Sequence, residues 1–171
     1  MKEKVKAKIA YLKNYNREWG PMSYGTPESS GFDLRAAIDN DVVIRRGQSI
    51  KIPTGIKIYS PNAGWFIAPR SGLAAKYGIN TTITLGVIDS DYLGEVCVCL
   101  FNTNSICPTG PSMKEHGWDY GQDFTVTPGM RIAQGVIDAF HQFDFEEISE
   151  SEFNEITTDR GTGGFGSTGQ K

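Results

Sequence analysis

Cysteine and histidine are scarce in this sequence, which has three cysteines and two histidines among its 171 residues. Cys97, Cys99 and Cys107 are odd in number, and the first two would lie on one face of a strand, where neighbouring cysteines do not normally bridge. A structural zinc site needs more Cys or His ligands, and His116 and His141 have no matching spacing. We therefore expect reduced cysteines that pack as small hydrophobic side chains.

Long apolar runs are also absent, because no run approaches the ~20 residues of a membrane-spanning helix. The first ten residues, MKEKVKAKIA, alternate charged and apolar side chains, whereas a signal peptide has a continuous apolar stretch. The net charge is -3, so the chain lacks the excess of Lys and Arg that binding to a nucleic-acid backbone requires. We expect an intracellular, cytoplasmic protein with neither a membrane nor a nucleic-acid partner. A small anionic ligand is compatible with this charge, because it needs only a few local cations.

Glycine is abundant, with 20 of the 171 residues, against an average near 7%. From Val42 onward, short apolar runs (VVI, IKI, IKI and WFIA) are separated by turn residues (RRGQ, PTG and SPNAG). Short strands punctuated in this way are typical of antiparallel sandwiches and barrels. We predict an all-β, jelly-roll-like antiparallel sandwich or barrel, with a further strand in the alternating segment Val5–Tyr11.

One segment departs from the strand pattern. Ser71–Gly78 (SGLAAKYG) has a serine suited to an N-cap, good helix formers and a terminal glycine. This predicts one short helix around Gly72–Tyr77. Because Arg70 directly precedes it, a cation and the free N–H groups of a helix start meet at one place, as in an anion site.

The segment Glu95–Phe101 (EVCVCLF) has apolar residues on both faces, which predicts a strand covered on both sides. In a domain of this size, another subunit can supply the second cover. The pattern therefore indicates an oligomer without giving its number of subunits.

The residues from Thr103 to Asp123 interrupt the strands with a run rich in Gly, Pro, Asn and polar side chains. Such a run is uncommon in a compact domain and is usually functional or inserted. Strands resume at Phe124–Thr127, before a Pro128–Gly129 turn, and the acidic residues within 143–155 indicate a solvated connecting segment. The glycine-rich end of the chain can form neither a helix nor a core by itself.

Five segments, read in order, carry the functional signal: SGFDLRAA (30–37) leading to PTG (53–55), PRSGL (69–73), GVIDSDYLG (86–94), GMRIAQ (129–134) and RGTGGFGSTG (160–169). Singly they are weak; the glycine pattern of the last follows no strand and opens no helix, which excludes a Rossmann site. In this order and spacing, the five segments resemble the five motifs of the trimeric dUTPase family. The match is specific and covers nearly the whole chain except Thr103–Asp123.

The resemblance implies a dUTP pyrophosphatase, which hydrolyses dUTP to dUMP and pyrophosphate. Such an enzyme limits uracil incorporation into DNA and supplies dUMP for dTMP synthesis. It also implies Mg²⁺ as cofactor and a homotrimer with shared active sites. One subunit supplies the first, second and fourth motifs, the next supplies the third, and the last supplies the tail. The chain would form a single β domain over residues 1–159 and a flexible C-terminal lid over residues 160–171.

The resemblance also implies roles for individual residues. Asp89 corresponds to the general base that deprotonates the attacking water. Tyr92 would lie under the deoxyribose, where its ring leaves no space for a 2′-hydroxyl; the alternative is an ordinary packed aromatic. Asp33 would contact Mg²⁺ through waters, or serve as a structural acid. The other implied substrate contacts are Arg70, Ser71, Gly72, Ile83, Gly86, Gln134, Arg160, Gly163, Gly164, Phe165, Gly166 and Ser167.

The resemblance implies that the C-terminal tail contacts the substrate. Arg160 would bind the γ-phosphate, the glycines and Ser167 would present hydrogen-bond donors, and Phe165 would stack on the uracil. Ordering ten flexible residues costs something like 10 kcal/mol. Because only a ligand with many charge-assisted hydrogen bonds offsets that cost, we expect a tail that is disordered without nucleotide and closes over the bound triphosphate.

Two features depart from the family pattern. Thr82 and Ile83 stand where Gly and Asn are common, so the uracil is read either by backbone groups or by Asn80 from a shifted register. Some phage members of the family also have an insert between the third and fourth motifs, which suggests a phage or viral source. The cytoplasm in which the protein acts would then be that of an infected host cell. Trp118 and Tyr120 of the insertion are candidates for contact with a protein partner; a loop that packs on its own subunit is the alternative.

Two other functions fit parts of the pattern. A dCTP deaminase has a related fold, but its chemistry attacks the base, and its members do not typically combine GVIDSDY with such a tail. A binding or regulatory protein would keep the fold and use the insertion to capture a partner, and this role is compatible with catalysis.

Overall fold

Short antiparallel strands make up most of the described chain. The computed structural model describes residues 5–61, 63–105, 122–137 and 146–157, and the chain divides into two units, Met1–Phe140 and His141–Lys171. The strands of the first unit are β1 (Lys8–Tyr11), β2 (Gly31–Arg35), β3 (Val42–Ile44), β4 (Ser49–Pro53), β5 (Ile56–Tyr59), β6 (Trp65–Pro69), β7 (Ile79–Thr81), β8 (Gly86–Ile88), β9 (Cys97–Asn102), β10 (Phe124–Val126) and β11 (Arg131–Ile137). The helices among its described residues are α1 (Ser71–Tyr77) and the 3₁₀ turns Arg17–Trp19 and Thr103–Ser105.

Two larger sheets form the body of this unit. One has the strand order β2-β11-β6-β8 and the other β4-β9-β7, while β1 pairs with β5 and β3 with β10. A single hydrophobic cluster contains side chains from both larger sheets, including Leu34 and Ile132 of one and Ile52, Val98 and Leu100 of the other. The two sheets therefore cover each other as in a β-sandwich, and the predicted all-β, jelly-roll-like fold is confirmed.

The predicted strands and helix are present with shifted ends. β1 begins at Lys8 rather than Val5. The prediction of Ser71 as the N-cap is wrong: α1 begins at Ser71, and the cap is Arg70, whose backbone is extended (φ -89°, ψ 126°) and whose side chain makes no capping hydrogen bond. The Arg70 carbonyl already accepts the N–H groups of Leu73 and Ala74, so the helix starts one residue early. Gly78 ends it in the left-handed conformation, as predicted.

Strand β9 is fully buried on one face only. Val98, Leu100 and Asn102 are buried, whereas Cys97, Cys99 and Phe101 on the opposite face are half-buried in the single chain. Cys97 and Cys99 are free thiols, as expected, and Cys107 lies outside the described residues. Burial raises the pKa of the Cys97 thiol, so it stays protonated and weakly nucleophilic at neutral pH.

The described part of the second unit, residues 146–157, contains a second helix, α2 (Glu150–Asn154). Every residue of this segment is exposed, in agreement with the predicted solvated connection, but the helix itself was not predicted. Ser149 and Glu152 form a reciprocal capping box, whose Ser-x-x-Glu spacing is visible in the sequence. Among the described residues, neither α-helix has the length and apolar composition needed to cross a membrane.

The two ends of the predicted insertion meet at one buried hydrogen-bond network. The Asn102 amide, fully buried, donates to the carbonyls of Ile44 (2.9 Å) and Gln122 (3.0 Å) and accepts from the Asn104 N–H (3.1 Å). Asn104 also donates to Gln122 (3.2 Å) and to Tyr77 at the end of α1 (2.9 Å). Residues 106–121 of the insertion, with Trp118 and Tyr120, lie outside the described residues, and their predicted protein partner stays a prediction.

Replacement of Asn102 by alanine should lower the free energy of unfolding by about 2–4 kcal/mol, because it leaves buried backbone groups without partners. Urea unfolding at one fixed protein concentration measures this. The control is Asn40→Ala, at an exposed turn, with an expected change within about 0.5 kcal/mol. Equal effects of the two substitutions would contradict a structural role for the buried amide.

Candidate active site

A groove of about 410 Å³ lies between the start of α1 and the strands β2 and β11. It brings together five of the predicted site residues, from three separate motifs: Asp33, Arg70, Ser71, Gly72 and Gln134. The groove is completed by Gly25, Ser29, Gly31, Leu73, Lys76 and Tyr77.

The carboxylate of Asp33 lies between two guanidinium groups. Its Oδ1 is 3.2 Å from Nε of Arg70, and its Oδ2 is 3.1 Å from Nη1 of Arg131. Arg70 also donates from Nη1 to the Arg131 carbonyl at 3.1 Å. All three side chains are about a third exposed or more, so the ion pairs add little stability. Their effect is to hold two cations in fixed orientations beside the groove, with a net positive charge that favours an anion.

Gln134 occupies the centre of the sheet beside Asp33. It is paired in register with Asp33 on β2 and Ala68 on β6, and its Nε2 donates to the Pro69 carbonyl at 3.1 Å. A β-carbon added at Gly31 would lie 2.8 Å from Oε1 of Gln134. The glycine therefore leaves the space in which the amide faces the groove.

The start of α1 adds hydrogen-bond donors to the same groove. In the described part of the chain, the backbone N–H groups of Ser71 and Gly72 have no acceptor. Both residues are exposed, and a side chain at Gly72 would meet nothing within 4 Å. Lys76, one turn further along α1, places another cation on the wall. This arrangement of cations and free N–H groups is suited to phosphate oxygens.

Arg131 was not among the predicted site residues, although it belongs to the fourth motif. Regular alternation would place it on the face opposite Gln134, since the two are three residues apart. A register shift between Arg131 and Ala133 interrupts the alternation. Ile132 and Ala133 are consequently buried next to each other, and this adjacent apolar pair is the sequence signal that could have revealed the bulge.

The third-motif residues lie elsewhere. Gly86 begins β8, which is three strand steps from β2 in the sheet order β2-β11-β6-β8, roughly 14 Å across. Asp89 and Tyr92 follow in a turn closed by a hydrogen bond from the Tyr92 N–H to the Asp89 carbonyl at 3.1 Å. Among the described residues that line the groove, none belongs to this motif, and Ile83 does not line it either.

The chain around β8 has an exposed apolar surface, which we call the β8 surface. Its five members, which include Ile83 at 59% and Tyr92 at 42% exposure, all lie within residues 83–93. Five large apolar side chains within eleven residues are thus exposed in the single chain, more than a solvated strand edge ordinarily carries. The five are Ile83, Leu85, Val87, Tyr92 and Leu93.

The predicted tail contacts cannot be placed, because residues 158–171 lie outside the described part of the chain. The residues concerned are Arg160, Gly163, Gly164, Phe165, Gly166 and Ser167. Their roles, and the predicted boundary between residues 159 and 160, stay predictions.

Known proteins resemble this chain in both sequence and structure. Residues 17–107 match the model of the dUTPase family. A deoxyuridine 5'-triphosphate nucleotidohydrolase of Acinetobacter baylyi is 40% identical over 171 residues, covering 98% of this chain and 99% of that protein. A mutant dUTPase of Staphylococcus bacteriophage 80alpha with dUpNHpp has a TM-score of 0.75 at 19% identity, covering 96% of this chain and 99% of that one.

A second phage structure, a mutant dUTPase of phage phi11 of S. aureus with a structural Mg(II) ion, has a TM-score of 0.66 at 16% identity and covers 85% of this chain and 97% of that one. At these identities the phage structures show the fold alone, whereas the bacterial relative matches over nearly the full length of both chains. Together with the family match over residues 17–107, that relationship shows that the chain belongs to the dUTPase family.

Proposed function

We propose that the chain is a dUTP diphosphatase, which hydrolyses dUTP to dUMP and pyrophosphate. The observation that carries the proposal is the groove in which Arg70, Ser71, Gly72 and Gln134 converge beside Asp33. The bacterial relative is a deoxyuridine 5'-triphosphate nucleotidohydrolase, and the phage 80alpha structure is with dUpNHpp. In the cell, this activity would limit uracil incorporation into DNA and supply dUMP, in the cytoplasm.

The groove binds the phosphate chain. Arg70 is held by Asp33 and by the Arg131 carbonyl, so its remaining N–H groups point in a fixed direction and form charge-assisted hydrogen bonds at little further entropic cost. The free N–H groups of Ser71 and Gly72 and the Gln134 amide bind further phosphate oxygens. Arg160 of the tail contacts the γ-phosphate.

Asp89 is the general base. Its carboxylate accepts a proton from a water molecule, whose oxygen forms a bond to the α-phosphorus. The bond from the α-phosphorus to the bridging oxygen breaks, and its electron pair leaves with pyrophosphate. The arginine beside the phosphates stabilises the negative charge that develops on this leaving group.

The active site is shared between the subunits of a homotrimer. Asp89 and Tyr92 follow β8, roughly 14 Å across the sheet from the groove that would hold the phosphates. One chain therefore supplies the groove, the next supplies Asp89, Tyr92 and the β8 surface, and the third supplies the tail. Burial of the β8 surface against a neighbour accounts for its apolar side chains.

The remaining contacts select the nucleotide. The ring of Tyr92 lies under the deoxyribose and excludes a 2′-hydroxyl. Ile83 and the backbone at Gly86 contact the uracil, with Asn80 as the side chain that reads its edge, and Phe165 stacks on the base when the lid closes.

The donor set fits Mg²⁺ held mainly by the substrate. A triphosphate has its own hard oxygens, and Mg²⁺ commonly keeps several waters. In the groove, each oxygen of Asp33 contacts one arginine nitrogen and keeps a second lone pair, which can accept a hydrogen bond from a metal-bound water. When bound, Mg²⁺ would neutralise negative charge on the phosphates.

The test of the activity is incubation of the purified chain with dUTP, UTP, dTTP and dCTP in the presence of Mg²⁺. We expect pyrophosphate from dUTP, little from the other three, and loss of release when EDTA removes the metal. Ammonia released from dCTP, without pyrophosphate from dUTP, would identify a deaminase instead.

Replacement of Asp89 by asparagine should lower kcat by a factor of roughly 10²–10⁴, because the amide cannot accept the proton of water. Dissociation constants for a non-hydrolysable dUTP analogue should change little. The matched control is Asp39→Asn, at an exposed position, with an expected kcat close to that of the unsubstituted chain. An Asp89→Asn chain with undiminished kcat would remove this residue from the mechanism.

Sharing of the site can be tested by mixing two inactive variants, Arg70→Ala and Asp89→Asn. When they are unfolded and refolded together in equal amounts, roughly one quarter of the sites combine an intact Arg70 from one chain with an intact Asp89 from its neighbour. We expect about that fraction of the full activity, while each variant refolded alone stays inactive. No recovery in the mixture, with both variants folded and trimeric, would place both residues of each site in one chain.

A further inference from the structure

The ring of Tyr92 lies directly over Gly94. A β-carbon added at Gly94 would lie 2.5 Å from Cζ and 3.0 Å from Cε2 of Tyr92, and closer still to the hydroxyl oxygen. Carbon atoms do not approach one another this closely without bonding, so any side chain at position 94 displaces the ring. The Tyr92 ring rather than the backbone yields to such a side chain, because the contacting atoms are the far end of the tyrosine, which is 42% exposed in the single chain.

The glycine is not required by the backbone. Among the described glycines, those with positive φ are Gly20, Gly47, Gly55, Gly78 and Gly129, so Gly94 has a backbone that other residues adopt. Glycine at position 94 therefore matters because it has no side chain, and the Tyr92 ring occupies the space that a side chain would fill.

The residue after Gly94 anchors the ring to the body of the domain. The Tyr92 hydroxyl donates to the Glu95 carbonyl at 3.1 Å. Oε1 of Glu95 in turn accepts from the Gly55 N–H at 2.9 Å and from Nδ2 of Asn14 at 3.2 Å. The Val96 N–H donates to the Ile56 carbonyl at 2.9 Å. The acceptor of the hydroxyl is thus held by strand β5 and the turn before it, while the ring rests on Gly94.

We infer that Gly94 is a positioning residue for sugar selection: its missing side chain sets the height and tilt of the Tyr92 ring against the deoxyribose. The inference rests on the proposed function, in which Tyr92 excludes the 2′-hydroxyl. A ring displaced from this position no longer packs closely against the 2′ carbon of the deoxyribose, so the preference for dUTP over UTP weakens.

The test is the ratio of kcat/KM for dUTP to kcat/KM for UTP in Gly94→Ala. We expect the ratio to fall roughly tenfold or more, because the steric exclusion of one hydroxyl is relaxed. The midpoint of thermal unfolding should stay within a few degrees of that of the unsubstituted chain, since neither Gly94 nor Tyr92 belongs to the hydrophobic core of the chain.

A double-mutant cycle separates positioning of the ring from a general disturbance of the turn. If Gly94 acts through the ring, Gly94→Ala should change the ratio much less in a Tyr92→Ala background than in the unsubstituted chain. Tyr92→Phe, which removes the hydroxyl bond to Glu95 but keeps the ring over Gly94, should keep most of the preference for dUTP. Should Gly94→Ala fail to fold, comparison of Tyr92→Phe with Tyr92→Ala still separates the contribution of the ring to the preference from that of the hydroxyl.

Three outcomes overturn the inference. The first is an unchanged dUTP-to-UTP ratio of kcat/KM in folded Gly94→Ala, and the second is an equal fall of this ratio with and without the Tyr92 ring. The third is a loss of preference for dUTP in Tyr92→Phe as large as in Tyr92→Ala. If the unsubstituted chain does not hydrolyse dUTP at all, the proposed function fails, and the sugar role of Tyr92 fails with it. Hydrolysis of dUTP with an unaltered ratio in Gly94→Ala overturns only the role of the glycine.

Discussion

The contact of Asp33 with Arg70 and Arg131 organises the groove. Two guanidinium groups placed side by side repel each other, and a carboxylate between them removes most of that repulsion while fixing both orientations. The three residues belong to β2, to the loop before α1 and to β11, which are far apart in the sequence and adjacent in the sheet. Without this contact, the groove would have two mobile cations instead of one oriented site. The ion pairs matter through geometry more than through stability, since all three side chains are partly exposed.

The sheet holds the groove residues in place, but it does not bring the third-motif residues to the groove. Gln134 is fixed between β2 and β6 by backbone pairing on both sides, so the groove needs no rearrangement to present its donors. The same sheet places β8 at its opposite edge. The functional groups of one chain are thus divided between the two edges of one sheet, and the β8 surface is exposed beside the second edge. Under the proposed mechanism, catalysis therefore depends on assembly of the trimer.

Much of the fold could be predicted because short apolar runs and turn residues are local signals. The runs VVI, IKI and WFIA became strands, and the SGLAAKYG segment became α1. The convergence of Asp33, Arg70 and Gln134 came from the family resemblance, since spacing alone does not show which strands are neighbours. Two features could not be predicted, because they depend on backbone geometry that one sequence does not reveal. One is the bulge that turns Arg131 toward Asp33, and the other is the extended backbone that makes Arg70 rather than Ser71 the cap of α1. The capping box of α2 was visible in the sequence and was overlooked among its acidic neighbours.

The hydrogen-bond network around Asn102 holds together the two ends of the insertion. The chain departs after Ser105 and is back at Gln122, whose carbonyl accepts from both Asn102 and Asn104. A stretch whose two roots are joined can be lengthened, shortened or exchanged with little effect on the strands beneath, since closure entropy grows only slowly with length. The root is also bonded to the Tyr77 carbonyl at the end of α1, whose first turn borders the groove. The insertion can therefore vary in sequence and length during evolution, and present different surfaces, while the neighbouring groove keeps its residues.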